Sequence, residues 1–210
     1  MEKISRRNVI GVAAAALAGG AFAGGAVPVL GGSPDPKKTE KAKGAKTESI
    51  YKFRFADAPA RKYGESTIRE HKLNNFPISA SMAAALIRLA KGDFREPHWH
   101  PNSDEWLFVM SGQVQMTIVN GKGEASRFTC GPEEVAFTPQ GFGHYVENVG
   151  DSDADLMLIH NHPEFTTVEL SEWVAGGSPS IFASTMNMPV EALAKAPKER
   201  LFIAKKKRGK

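Results

Sequence analysis

The chain has 210 residues, 27 Lys and Arg against 23 Asp and Glu, six histidines and one cysteine. That length suits one domain with a real core, and a single cysteine excludes an intramolecular disulfide framework or a multi-cysteine zinc or iron–sulfur site. The formal charge of +4 and a pI near 9.1 would suit an acidic partner such as nucleic acid or a membrane surface, so the location of that charge decides the matter.

The chain opens on Ser5-Arg6-Arg7-Asn8-Val9-Ile10, a twin-arginine pattern. An apolar stretch from Val9 to Leu17 follows, then Ala21-Phe22-Ala23, a small-x-small cleavage site before Gly24. Residues 1–30 therefore read as a signal peptide that sends the protein through the twin-arginine export machinery to the periplasm or the exterior. The uncharged run over 9–30 is long enough to span a bilayer, but its five glycines and Pro28 weaken such a helix, and no stable span is expected after cleavage. Residues 31–48 are rich in Lys, Gly and Pro with almost no apolar side chains, which predicts a flexible linker. Residues 198–210 hold seven Lys or Arg against one Glu and read as a solvated basic tail. What remains, residues 49–197, has 12 basic and 18 acidic side chains, a net charge of −6. The basic pI belongs to the two ends, and nucleic acid is not an expected partner.

From about residue 50 to 175 the pattern is one of short strands broken by turns. Val114-Gln115-Met116-Thr117-Ile118 alternates apolar and polar, and Asn120-Gly121 after it predicts a tight hairpin with positive φ angles. Further strands are predicted over 83–89, 105–110, 135–138, 144–149 and 155–160, with turns at Lys91-Gly92, Ser111-Gly112, Gly131-Pro132, Pro139-Gln140-Gly141 and Gly150-Asp151. Many short strands at such spacing predict an all-β, antiparallel sandwich or barrel. A helical period appears only late, over 189–196, with Pro189 at the first helical position.

The residues that carry chemistry fall in two places. His98-Trp99-His100 sets two imidazoles two apart on a strand, on one face, and Asn102-Ser103-Asp104 turns the chain so that Glu105 returns beside them. Pro139-Gln140-Gly141-Phe142-Gly143-His144 is a turn that delivers a third imidazole from a distant strand. Three neutral nitrogens and one carboxylate suit Mn, Fe, Co, Ni, Cu or Zn.

The full string is more specific than any part of it. Gly92, five residues, His98-x-His100, four residues, Glu105, six residues, Gly112 matches the first cupin motif, and Pro139-x-Gly141-xx-His144-xxx-Asn148 matches the second. The chain departs from the pattern at Glu133, where cupins usually carry glycine; with Gly131 two residues earlier, a shifted turn is expected. Arg95-Glu96-Pro97-His98-Trp99-His100-Pro101-Asn102, Asp104-Glu105-Trp106, residues 141–148 and Ser171-Glu172-Trp173 resemble one cupin domain of the bacterial oxalate decarboxylases, especially the C-terminal one. The resemblance implies a double-stranded β-helix of jelly-roll type over 49–180, with short helices over 181–197.

It also implies Mn²⁺ held by His98, His100, Glu105 and His144, with Fe²⁺, Ni²⁺, Cu²⁺ and Zn²⁺ as alternatives. Oxalate is the implied substrate, with dioxygen as a possible second one. Arg95 inherits the role of binding the oxalate carboxylate, provided that Pro97 breaks the strand, because regular alternation puts Arg95 on the wrong face. The family's decarboxylating domain takes its proton donor from a Ser-Glu-Asn-Ser-Thr lid; this chain has residues 161–167 there instead, and Glu164 is the candidate acid. An iron or nickel dioxygenase and a non-catalytic carboxylate binder remain alternatives, and a homo-oligomer is expected. His160 and His162 read as a polar rim or as support behind the site, His71 as a surface residue. Trp99 is expected to point away from the metal, Cys130 to be a buried inert thiol, and Asn148 to support the turn or the sheet rather than bind metal.

Overall fold

The structure, a computed structural model, describes residues 49–207. The twin-arginine segment and the lysine-rich linker lie outside the described residues. Two antiparallel sheets carry the fold. The first is ordered β1 (Arg61–Tyr63), β2 (Ser66–His71), β3 (Ala83–Leu89), β10 (Ala154–His160), β5 (Glu105–Ser111) and β8 (Val135–Thr138). The second runs β11 (Val168–Glu169), β4 (Asp93–Trp99), β9 (Gly143–Asn148), β6 (Val114–Val119) and β7 (Ala125–Cys130), with β12 (Ile203–Lys205) added beside β4.

Alternation explains the strands. On β10, Ala154, Leu156, Leu158 and His160 are buried, while the residues between them are half-exposed. On β5, Glu105, Leu107 and Val109 point inward and Trp106 and Met110 outward. Ile87, Leu89, Leu107, Val109 and Leu156 of the first sheet meet Val114, Met116 and Val146 of the second in one core. Each large aliphatic side chain buried there contributes about 1.5–3 kcal/mol, enough together to hold the frame in which a buried polar cluster is tolerated at one end.

Several sequence expectations change. The Asn120-Gly121 turn is not a two-residue hairpin: Val119 pairs with Ala125, and the left-handed residue is Gly123 at φ 81°. Asn120 Oδ1 accepts from the Lys122 and Glu124 amides, so its side chain organises the longer loop. The turn at residue 133 is not shifted either. Glu133 itself adopts φ 69°, the conformation that a glycine would take without steric cost. The helices begin earlier than residue 181: α1 is Leu170–Gly176, α2 Pro179–Thr185 and α3 Val190–Leu193, with Pro189 just before α3 rather than inside it.

The basic segment expected to be a solvated tail is part of the fold. β12 pairs with β4, and Phe202 and Ile203 are buried in the core. Two apolar residues, Phe202 and Ile203, outweigh the flanking charges because the core and the edge of β4 receive them. β7 escaped pattern reading because five of its six residues are exposed, so no apolar face marks it. No helix among the described residues is long and apolar enough to cross a membrane.

Candidate metal centre

The strands bring four buried side chains to one point between the sheets. His98 lies on β4 opposite His144 on β9, with ring centroids 4.1 Å apart, and His100 follows β4 directly. Glu105 opens β5 on the facing sheet. One ligand atom from each of the four lies within 4.8 Å of those from the others.

The three imidazoles are oriented in the same way. Nδ1 of His98 is 2.6 Å from the Glu96 carbonyl, Nδ1 of His100 2.8 Å from the Thr166 carbonyl, and Nδ1 of His144 3.1 Å from the Phe142 carbonyl. A carbonyl only accepts, so each Nδ1 carries a proton and each Nε2 is turned to the centre, where a bound metal would take its lone pair. Glu105 meets them there, with Oε2 3.0 Å from His100 Nε2 and Oε1 3.6 Å from His144 Nε2. Burial, and after it the Arg95 guanidinium, hold the His98 imidazole well below its usual pKa range, so it is neutral. Burial alone would raise the Glu105 carboxyl, but the charges of His144 and His100 and the hydrogen bond with His100 outweigh it and hold the group well below its usual range.

Three imidazole nitrogens and a carboxylate turned to one dry point would be costly to bury without a cation to receive them. His144 Nε2 is fully buried and has no hydrogen-bond partner. That orphaned atom fits a metal, and the carbonyl-anchored donor set is how proteins orient imidazole ligands.

Residues 55–195 match the cupin family. The chain belongs to the cupins. Over 171 residues it is 34% identical to a probable oxalate decarboxylase of Arthroderma benhamiae, which covers 80% of this chain and 42% of that relative. Oxalate decarboxylase of Bacillus subtilis is 32% identical over 133 residues, 63% of this chain and 34% of its own length. A solved structure of the Bacillus subtilis enzyme at pH 4.6 superposes at a TM-score of 0.70 and 28% identity, across 74% of this chain and 41% of that one. Another structure of that enzyme concerns its Mn(II) centres. The chain thus spans less than half the length of these relatives.

In this cupin the strand break at Pro97 is real. The β4–β9 register shifts between Arg95 and His98, so both side chains are buried although they stand three residues apart. Arg95 is not free, however. Its Nη2 meets Glu169 Oε1 at 2.6 Å and its Nη1 donates to the Phe202 carbonyl at 3.0 Å. The guanidinium lies 3.8 Å from the centre of the Phe202 ring, and Arg200 shares Glu169 from the other side.

Glu164 sits in the loop over 161–167, which the sequence placed after the last long barrel strand. Asn102 laces this loop down: its Nδ2 donates to the Glu164 carbonyl at 2.9 Å and its Oδ1 accepts from the Thr166 amide at 2.8 Å. The Glu164 side chain is exposed, and among the described residues its carboxylate makes no hydrogen bond or ion pair. The structure thus places the loop over the ligand His100 but leaves the candidate acid on the surface.

His160 is buried completely, opposite Glu105 in the β5–β10 register, with Nε2 3.7 Å from Glu105 Oε2. Its position at the inward end of an alternating strand was the available signal. His162, by contrast, accepts from the Glu164 amide at the rim. Trp99 turns away from the cluster, edge-on to Trp173 at 5.8 Å. Asn148 ties Leu89, Gly150 and Ser152 together as a turn support.

Proposed function

We propose that this cupin is an exported, manganese-dependent enzyme that acts on oxalate, with decarboxylation as the principal reaction. The observation that carries the reading is the convergence of three carbonyl-anchored histidines on Glu105 in a chain whose relatives are oxalate decarboxylases. Manganese, when bound, supplies an anion-binding centre capable of one-electron chemistry. His98, His100, His144 and Glu105 would hold it, and with one anion among four ligands the site keeps a positive charge for the substrate anion. Residues 49–207, with 17 basic and 19 acidic side chains, carry a net charge of only −2 and offer no long-range attraction for oxalate, so this local charge does the capturing.

Arg95 is the proposed carboxylate arm. Because Glu169 already balances it, substrate binding at Arg95 is an exchange of one carboxylate for another, which makes the arm selective rather than strongly attractive. Decarboxylation of hydrogen oxalate takes up one proton and yields formic acid and carbon dioxide. Glu164 is the proposed donor, and its exposed carboxylate has to turn inward from the laced loop to serve. If it does not, the related reaction of oxalic acid with dioxygen, to two carbon dioxide and hydrogen peroxide, takes over. The twin-arginine pattern supports export of an already folded, metal-loaded protein. Exposed Trp106, Val135 and Phe137 on the outer face of the first sheet support a homo-oligomer, which sedimentation measures directly.

Protein matured through its own export route is assayed for metal content, then given oxalate under air. Manganese with formate and carbon dioxide is the expected result. Hydrogen peroxide in place of formate makes it an oxidase, oxalate binding without product makes it a capture protein, and no interaction with oxalate removes the proposal.

A further inference from the structure

His160 belongs to none of the four ligands, yet it is the buried side chain most directly aimed at one of them. Its ring is fixed on both sides: it stacks on Phe165 with centroids 3.8 Å apart and planes at 12°, and lies 4.6 Å from the His100 ring. Ser103 Oγ is 3.3 Å from Nδ1. Nε2 is buried with no hydrogen-bond partner and faces Glu105 Oε2 at 3.7 Å. A phenyl ring would stack on Phe165 as well without leaving a polar atom orphaned in a dry site, which is destabilising. Packing alone therefore does not account for a histidine here.

The environment selects the tautomer. If Nε2 carried the lone pair, it would face the Glu105 carboxylate, two electron-rich groups opposed in a dry site. With the proton on Nε2, the Ser103 hydroxyl donates to Nδ1 and an N–H points at the carboxylate. At 3.7 Å that N–H is beyond hydrogen-bond length, and His100 Nε2 holds the same oxygen at 3.0 Å. His100 Nε2 is also an atom that would hold the cation. Once it does, it has no proton to donate, Oε2 loses this partner, and the His160 N–H is the donor left beside it.

We infer that His160 is a positioning residue: its Nε2–H takes over Glu105 Oε2 when His100 binds metal, and so fixes which carboxylate oxygen faces the ion. Ser103 and Phe165 hold the imidazole for that task. This rests on the metal reading of the site given above, and adds to it a residue outside the ligand set.

The test compares metal-free wild type with His160→Phe and His160→Gln, reading Mn²⁺ affinity by chelator competition and the visible spectrum of Co²⁺ as a coordination probe. Expected for His160→Phe is a folded protein with thermal stability equal to wild type or higher, a Mn²⁺ dissociation constant raised about 10- to 100-fold, and an unchanged number of nitrogen ligands in the Co²⁺ spectrum. His160→Gln, which keeps an N–H, recovers most of the affinity. Unchanged affinity in a folded His160→Phe protein overturns the inference, as does a Gln variant no better than Phe. Loss of a nitrogen ligand from the Co²⁺ spectrum overturns it too, since His160 would then bind metal itself. If His160→Phe does not fold, Ser103→Ala carries the test: a several-fold loss of Mn²⁺ affinity is expected, and none overturns the role. A wild type that binds neither ion overturns the metal reading as well, whereas a variant equal to a metal-binding wild type removes only the role of His160.

Discussion

At the scale of single residues, the ligands were legible and their surroundings were not. His98, His100, Glu105 and His144 follow from spacing, because strand periodicity and a turn of set length dictate where a side chain points. His71 shows the opposite. It has no motif partner in sequence and was expected at the surface, but its ring lies 5.3 Å from Phe53, 5.8 Å from Phe55 and 5.4 Å from Phe76, and its Nδ1 is buried without a partner. Burial lowers its pKa below the ordinary value. The unfolded chain, with His71 near about 6.5, binds this proton more readily than the folded one. The contribution is therefore neutral above that pH and is lost as pH falls below it, until the folded imidazole also protonates. His71→Phe is expected to narrow the loss of stability as pH falls below about 6.5 relative to wild type. Denaturant midpoints of the two metal-free proteins at several pH values check this; parallel curves would remove the assignment.

At the scale of elements, two turn positions at the far end of β5 from Glu105 carry opposite lessons. Gly112, the last residue of the first motif, has φ 79°, and a Cβ placed there would stand 2.7 Å from the Ala154 Cα and 2.8 Å from the Asp153 carbonyl oxygen. Neither is a flexible side-chain end, so Gly112→Ala forces β5 and β10 apart at the start of β6. A loss of about 3 kcal/mol or more is expected, from strain and overpacking together, read as a lowered melting temperature. Glu133 takes the left-handed conformation without being glycine. Glu133→Gly relieves about 1–2 kcal/mol of backbone strain against an added unfolded-chain entropy of about 0.5–1 kcal/mol, for an expected small net gain. A less stable Glu133→Gly protein would show that the Glu133 side chain contributes more than its backbone costs. Apolar alternation exposed β3, β5, β6, β8 and β10 in the sequence. It failed for β7, whose face is wet, and for β12, whose three residues are too few to show a period.

At the scale of the whole molecule, the second-sheet edge is closed from a distance of about a hundred residues in sequence. The Phe202 amide donates to Glu96 Oε1 at 2.6 Å, its carbonyl accepts from Arg95 and from the Glu96 amide, and its ring stacks on Tyr63 at 5.0 Å. Ser171 holds the same Glu96 carboxylate through its hydroxyl and amide. Glu96 in turn receives the His98 imidazole at its carbonyl, so the C-terminal strand supports a ligand through one residue. Phe202→Ala is expected to cost about 3–5 kcal/mol and to weaken Mn²⁺ binding as well. Calorimetry together with chelator competition tests the pair, and a destabilised protein with unaltered Mn²⁺ affinity would separate the strand from the site.

The sequence by itself determined the sheet-rich class, the four convergent side chains of the candidate site and the acidic balance of residues 49–197, since these depend on alternation, spacing and counting, all local along the chain. Only the tertiary structure decided that the basic C-terminal segment is a strand, that Arg95 is ion-paired with Glu169, and that His160 faces Glu105. Each of those depends on which distant segments share a dry interior. There, an uncompensated charge or lone pair must find a partner, and the fold selects it among residues far apart in sequence.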